Sequence, residues 1–156
     1  MKLVNVRRSL LISSLAVALS LTSLARAQEA EAPPSEEVDG LRITEIVLAH
    51  AVENGEAVQP SSTFTTADGR VMVLIRLENT TGAETDLRVS FERADREVAA
   101  AAPTGGAGVT LHLPARPSTR TVARTGTRAA GRYRVVVRTS AGNVLGTAEY
   151  EVTAAS

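Results

Sequence analysis

Apolar and polar residues alternate along most of the chain from residue 41 onward, and this alternation predicts β-strands. The clearest case is the segment 70–78, in which alternate positions hold Val71, Val73, Ile75 and Leu77. A period of two fits one face of a half-buried strand, whereas a helix requires a period of 3.6. Turn residues follow at 79–82, and the alternation resumes at 87–92. We therefore predict that these two strands form a hairpin.

The same two-residue rhythm marks other strands at residues 41–52, 109–113, 120–125, 131–139 and 144–152. Within the first of them the apolar positions change parity between Ile43 and Ile46, which predicts a bulge near Thr44 or Glu45. The alanine-rich run 96–102 fits either a short edge strand or one helical turn. The domain is therefore expected to hold seven or eight short strands, each with one apolar face.

These strands predict an all-β fold, an immunoglobulin-like antiparallel β-sandwich spanning residues 41–153. So many one-faced strands bury their apolar sides only if two sheets face each other. Residues 131–137 carry the spacing Gly-x-Tyr-x-Val-x-Val, which is typical of the penultimate strand of such sandwiches. The hydroxyl of Tyr133 is expected to find a backbone partner near a corner of the sandwich. A closed barrel is the alternative architecture.

Three runs of sequence resemble a bacterial family of exported domains of unknown function that have an immunoglobulin-like β-sandwich. The resemblance covers most of residues 41–153 and is carried by ITEIVLAHAVENGEAV, STFTTADGRVMVLIRLENTTG and GRYRVVVRTSAGNVLGTAEYEV. It implies the same fold and a location outside the cytoplasm. Because the family has no agreed activity, the resemblance implies no catalytic residue, cofactor or substrate.

The N-terminal segment 1–27 predicts an export signal. A basic start is followed by an uncharged stretch at 9–25 and by the small-residue cleavage site Ala25-Arg26-Ala27. An uncleaved anchor is the alternative, but 17 uncharged residues that include six hydroxyl side chains are short and polar for a membrane span. We expect a periplasmic or secreted chain with no membrane span after cleavage. Arg7-Arg8 leaves a twin-arginine route open beside the general secretory route.

Residues 28–40 predict a disordered acidic linker. They carry five acidic residues, two adjacent prolines and no basic residue, and they offer too few apolar groups to offset the entropy of ordering. The sequence therefore divides into a signal peptide at 1–27, a linker at 28–40 and a β-sandwich at 41–153.

Composition excludes several function classes. After residue 27 the chain holds 13 basic and 17 acidic side chains, a net charge of −4, which argues against a nucleic-acid partner. The chain has no cysteine, so disulfide scaffolds, thiol enzymes, lipid-anchored lipoproteins and cysteine metal sites are excluded. Its two histidines, His50 and His112, have no second ligand at i+2 on their own strands, and residues 105–108 predict a flexible loop. We predict no catalytic residue, no cofactor site and no metal site.

Charge layout provides the one candidate binding feature. Between residues 98 and 148 the chain carries seven arginines and no acid. Strand parity points several of them outward on what we predict to be neighbouring strands, namely Arg120, Arg124, Arg132, Arg134 and Arg138. A basic stripe of this kind would bind another envelope protein or an anionic envelope component. The alternative interpretation is that arginines fill solvent-facing positions and are neutralised by acids on adjacent strands.

The sequence thus predicts a non-enzymatic, exported β-sandwich that acts as an interaction or structural accessory module of the bacterial cell envelope. The alternative function is a binding domain for an anionic or carbohydrate ligand that uses the arginine-rich face. No pattern in the sequence identifies the partner or the oligomeric state.

Overall fold

The computed structural model describes residues 36–94, 108–127 and 129–156 of the protein. The described residues form nine strands and no helix: β1 (Leu41–Glu53), β2 (Glu56–Pro60), β3 (Thr63–Thr65), β4 (Arg70–Asn79), β5 (Thr85–Arg93), β6 (Gly108–Leu113), β7 (Ser118–Gly126), β8 (Gly131–Thr139) and β9 (Val144–Thr153). The predicted signal peptide and the alanine-rich run 96–102 lie outside the described residues. Within the described ranges, no helix has the length and apolar character needed to cross a membrane.

The strands form two sheets, as the sequence predicts. One has the order β2-β1-β4-β7 and the other has the order β3-β9-β8-β5-β6. All strand pairs are antiparallel except β3 with β9, which is parallel. Strands β2 and β3 were not predicted, because each is short and lies beyond the strong alternation. Residues 36–40, assigned to the linker from sequence, contact the sandwich through a bridge between Val38 and Leu41.

The inner faces of the two sheets form one apolar core. The side chains that alternate along β4 are all buried there, as predicted, and they pack with Leu87 and Val89 of β5 and with Val135 and Val137 of β8. The register between β1 and β4 shifts between Ile43 and Glu45, which confirms the predicted bulge. The extra residue corrects the parity, so apolar side chains on both sides of the bulge reach the same core.

The predicted hairpin between β4 and β5 is wrong. β4 pairs with β1 and β7, whereas β5 pairs with β6 and β8 in the opposite sheet. The connection turns a corner that is built on Asn79, whose side chain accepts from the Thr81 amide at 3.0 Å and donates to the Ala83 carbonyl at 2.9 Å. An alternating strand has the same sequence pattern whether the next strand along the chain pairs with it or lies in the opposite sheet. The connection between the two strands determines which of these occurs.

One end of the core is closed by aromatic rings. Tyr133 stacks on Tyr150 with ring centroids 5.3 Å apart, and Phe64 meets Tyr150 edge-on at 6.0 Å. The Tyr133 hydroxyl donates to the Ala129 carbonyl at 2.9 Å, which confirms the predicted backbone partner. Burial raises the pKa of Tyr150 to about 12. These rings therefore serve as packing groups on the inner face.

Candidate functional site

The predicted arginine stripe is divided between two opposite surfaces. We call the outer surface of the β2-β1-β4-β7 sheet the first face and that of the β3-β9-β8-β5-β6 sheet the second face. Arg120 and Arg124 lie on β7 and belong to the first face, while Arg132, Arg134 and Arg138 lie on β8 and belong to the second. The prediction of one stripe along neighbouring strands is therefore wrong. The chain crosses the sandwich between β7 and β8, and strand parity cannot reveal such a crossing.

On the first face, two arginines are bridged by one carboxylate. Arg76 on β4 lies directly opposite Arg120 on β7. Like charges in such a position repel each other. Glu56 of β2 contacts both guanidinium groups, Arg76 Nη2 at 2.5 Å and Arg120 Nη1 at 3.2 Å, through its two separate oxygens. Glu45 adds a contact of 2.9 Å to Arg76 Nη1.

These contacts show that the β1–β2 hairpin, residues 50–60, doubles back over the first face. Glu56 pairs with Glu53, which lies eight residues after Glu45 on β1. In a straight strand those eight residues would span about 26 Å. The carboxylates of Glu45 and Glu56 nevertheless meet at the same Arg76 guanidinium. The hairpin must therefore fold over the sheet rather than extend beyond it.

The tip of this hairpin fits closely against Arg120. Asn54 and Gly55 have φ angles of 51° and 78°, the left-handed backbone of a tight hairpin turn. A Cβ on Gly55 would lie 2.6 Å from the guanidinium carbon of Arg120, whose Nη1 donates to the Gly55 carbonyl at 3.4 Å. Because β4 lies between β1 and β7, the tip crosses β4. Leu74, which points outward from β4, is only 1% exposed.

On the second face, the predicted arginines also have acidic neighbours. Arg132 and Arg134 share Glu149 of β9, at 3.4 Å and 3.5 Å. Arg138 reaches Glu92 of β5 only at 3.9 Å. These pairs, exposed at Glu149 and half-buried at Glu92, match the alternative interpretation from sequence, in which acids on adjacent strands neutralise the arginines. Each such pair stabilises a fold by about 0 to 1 kcal/mol.

Sequence reasoning missed one arginine of the second face as a candidate. Arg88 of β5 lies directly opposite Arg138 of β8. It is exposed, and no described residue forms an ion pair or hydrogen bond with it. The outward parity of Arg88 is readable from the alternation along β5. Its position next to Arg138 depends on the pairing of β5 with β8, which the sequence did not reveal.

Both histidines have carboxylates from neighbouring segments. His112 Nδ1 lies 3.0 Å from Asp86 Oδ1, and this hydrogen bond raises the pKa of His112. His50 Nδ1 lies 3.7 Å from Asp68 Oδ1. A search at i+2 along one strand could not find these partners because they come from other segments. Within the described parts of the chain, no group of three or more histidine, cysteine or acidic residues is arranged to hold a metal ion.

Comparison with known proteins gives the fold its name. No family model matches the sequence, and no curated protein matches it. A crystal structure of an immunoglobulin-like protein from Pseudomonas aeruginosa matches with a TM-score of 0.50 and 16% identity, covering 74% of this chain and 98% of that chain. The described residues form an immunoglobulin-like β-sandwich.

Two β-glucosidases also contain a region similar to this sandwich. The enzyme from Kluyveromyces marxianus matches with a TM-score of 0.41 and 18% identity over 55% of this chain. β-Glucosidase 3B from Thermotoga neapolitana matches with a TM-score of 0.42 and 18% identity over 66% of this chain. The chain spans 12% and 17% of those two enzymes. Similarity of this extent says nothing about activity.

Proposed function

We propose that this chain is a non-enzymatic interaction or structural accessory module that is exported to the bacterial cell envelope. One observation carries the proposal: no carboxylate, histidine or arginine among the described residues is buried. Catalytic acids and bases work where water is excluded and their pKa values are tuned. Apart from His50 and Arg93, which contact the rings of Phe64 and Tyr133, the charged groups of the strands lie on the outer faces over an apolar core, so binding through those faces is the role they support.

The exported location is supported by the signal layout of residues 1–27 and by the resemblance to exported immunoglobulin-like domains. Expression of the full chain in a bacterium, followed by cell fractionation and intact mass analysis, tests it. We expect a periplasmic or secreted product that begins at Gln28. A full-length product that stays in the membrane fraction would contradict export by cleavage.

The interaction role is tested by photo-crosslinking in the bacterium that encodes the chain. A photoreactive amino acid is placed at Ser118 on the first face, at Thr147 on the second face, or at Ala141 in the β8–β9 turn as a control. We expect a protein adduct of defined mass from one face and none from the turn. Failure to crosslink from either face, combined with turnover of any compound in a substrate panel, would overturn the proposal.

A second candidate is a binding domain for an anionic or carbohydrate ligand. It is favoured by Arg132 and Arg134, whose side chains are 69% and 43% exposed while they share a single carboxylate. Anionic glycans and lipids are titrated against the protein and against a variant that combines Arg132→Ala, Arg134→Ala and Arg138→Ala. Equal affinity of both proteins for every ligand would remove this candidate.

A further inference from the structure

We propose that Arg88 and Arg138 form a docking site for a carboxylate of another protein, an Asp or Glu side chain that inserts between them on the second face. The inference rests on the proposed interaction role and specifies the chemistry of the partner. It follows from a comparison within the molecule, because the first face contains the same arrangement with its carboxylate in place.

The first face shows what such an arginine pair binds. Arg76 and Arg120 are directly opposite each other on adjacent antiparallel strands. The carboxylate of Glu56 uses one oxygen for each guanidinium, at 2.5 Å and 3.2 Å. Side chains in this relation start about 5 Å apart, so their guanidinium groups approach the same anion from two sides. A single carboxylate thereby removes the repulsion between two like charges.

Arg88 and Arg138 stand in the same relation on β5 and β8. Here no carboxylate from the described residues bridges them. Arg138 meets Glu92 at 3.9 Å and the Gly142 carbonyl at 3.5 Å, both at the limit of contact. Glu92 is also hydrogen-bonded by the Ser90 hydroxyl at 3.0 Å. A guanidinium offers five N–H donors, so this pair retains most of its donor capacity.

The surroundings of the pair suit a protein partner. Val144 lies directly opposite Arg138 on the other side, and at 46% exposure it is the one large apolar side chain fully on the surface of the described structure. The next row of the face holds Gly108, Ser90, Val136 and Thr147, in which the side chain of Val136 is 3% exposed between small neighbours. A partner segment with an acidic side chain next to an apolar one would match Arg138 and Val144.

Acidic residues around the pair favour a single carboxylate over an extended polyanion. Asp86 and Glu92 flank Arg88 at two residues and four residues along β5, and Glu149 lies beside Arg134 on the same face. A membrane rich in anionic lipid or a phosphate-bearing glycan would bring many charges against these acids. One inserted side chain brings a single negative charge near them, as Glu56 does beside Glu45 on the first face.

The test uses nine-residue peptides in which Glu and Val alternate, and matching peptides in which Gln replaces Glu. Binding to the protein is followed by amide chemical shifts in two-dimensional NMR spectra. We expect the Glu peptide to shift amides of β5 and β8 and the Gln peptide to shift none. Arg88→Gln or Arg138→Gln should each weaken binding about tenfold, the typical effect of losing a hydrogen bond to a charged group.

Arg70→Gln is the matched control, because Arg70 is exposed on the first face and has no ion-pair partner among the described residues. It should leave the affinity for the Glu peptide unchanged. Equal weakening by all three variants would mean that only net charge matters and would overturn the site. Unperturbed spectra of the free variants confirm that each remains folded.

Two further measurements distinguish a protein carboxylate from other anions, and distinguish failure of this site from failure of the proposed interaction role. Inorganic phosphate and vesicles with anionic lipid are titrated in the same way, and binding of either in place of the Glu peptide would overturn the assignment to a carboxylate. Absence of peptide binding, together with photo-crosslinking from Ser118 on the first face, would remove this site and leave the interaction role intact. Crosslinking from Thr147 that is lost in Arg88→Gln would support both.

Discussion

The two outer faces of the sandwich present the same arginine pair in two different states. On the first face, Arg76 and Arg120 are bridged by Glu56, and the β1–β2 hairpin folds over them. On the second face, Arg88 and Arg138 are equally aligned but have no bridging carboxylate among the described residues. The carboxylate on the first face comes from the β1–β2 hairpin, which folds over its own sheet. A surface charge pair can thus be a structural contact or an open site, depending on what the chain brings to it.

The largest effect is expected from Val73→Asp, because both faces depend on the core beneath them. Val73 is fully buried between the sheets. An unpaired charge at such a position costs about 3 to 5 kcal/mol, out of a typical total of about 5 to 15 kcal/mol. We expect loss of the cooperative unfolding transition in urea, measured by circular dichroism. Arg70→Asp, an exposed charge change on the same strand, should leave the midpoint within experimental error.

The next largest effect tests the closure of the first face. Gly55→Ala places a Cβ against the Arg120 guanidinium at a left-handed φ, so it should destabilise the fold by about 1 to 2 kcal/mol. Gly82→Ala is the control, since Gly82 has a φ of 67° and no atom within 4 Å of the added Cβ. Urea denaturation should show a greater loss for Gly55→Ala. Equal losses would mean that backbone strain alone is responsible and that the contact with Arg120 contributes nothing.

Two substitutions with smaller effects on stability should exchange the two faces, so that the first lacks a carboxylate between its arginines and the second gains one. Glu56→Gln removes the bridging charge from the first face, and Arg88→Glu supplies a carboxylate beside Arg138 on the second face. Cross-strand charge pairs contribute about 0.2 to 1 kcal/mol, so the first change should lower the free energy of unfolding and the second should raise it by amounts in that range. Hydrogen exchange of β2 amides should quicken only in Glu56→Gln. A stabilising Glu56→Gln would contradict the assigned role of the bridge.

The smallest effect concerns Asp86, an acidic residue of the second face that does not bridge Arg88 and Arg138. Asp86 lies two residues from Arg88 but hydrogen-bonds to His112, and this contact raises the pKa of His112. The protonated ring is therefore favoured by the folded state. Stability from this pair is present at acidic pH and is lost as pH rises through the raised pKa.

NMR titration of the His112 ring checks this pH dependence. In Asp86→Asn the pKa of His112 should fall toward its ordinary value. Asp68→Asn, which alters the partner of His50 instead, should leave the titration of His112 unchanged. An unaltered His112 titration in Asp86→Asn would show that the hydrogen bond does not set the pKa.

Features that depend on local interactions could be predicted from the sequence, whereas features that depend on contacts between distant residues could not. The bulge between Ile43 and Glu45 and the inward face of β4 were predicted correctly, because parity is a local property of the chain. The hairpin between β4 and β5 was predicted wrongly, because a corner at Asn79 sends the chain to the other sheet. Asn54-Gly55 is a strong hairpin signal that the sequence did carry, although the strand it begins was not predicted.

The candidate site was less predictable than the fold. Outward parity identified Arg120, Arg132, Arg134 and Arg138 as surface residues, and the structure agrees that they lie on outer faces. Their grouping depended on strand neighbours, so the single stripe became two faces. Arg88 was overlooked because nothing in the local sequence links it to Arg138, which follows fifty residues later.

The sequence by itself determined that the chain is built of β-strands, which side of each strand is apolar, and that two sheets must bury those sides. These properties follow from backbone geometry, in which side chains alternate at every second residue. Only the tertiary structure decided which strands are neighbours, and hence which charges meet. Antiparallel pairing and sheet crossing join residues that are far apart in sequence, and the physical cost of a mispaired charge on the surface is too small to leave a pattern in the chain.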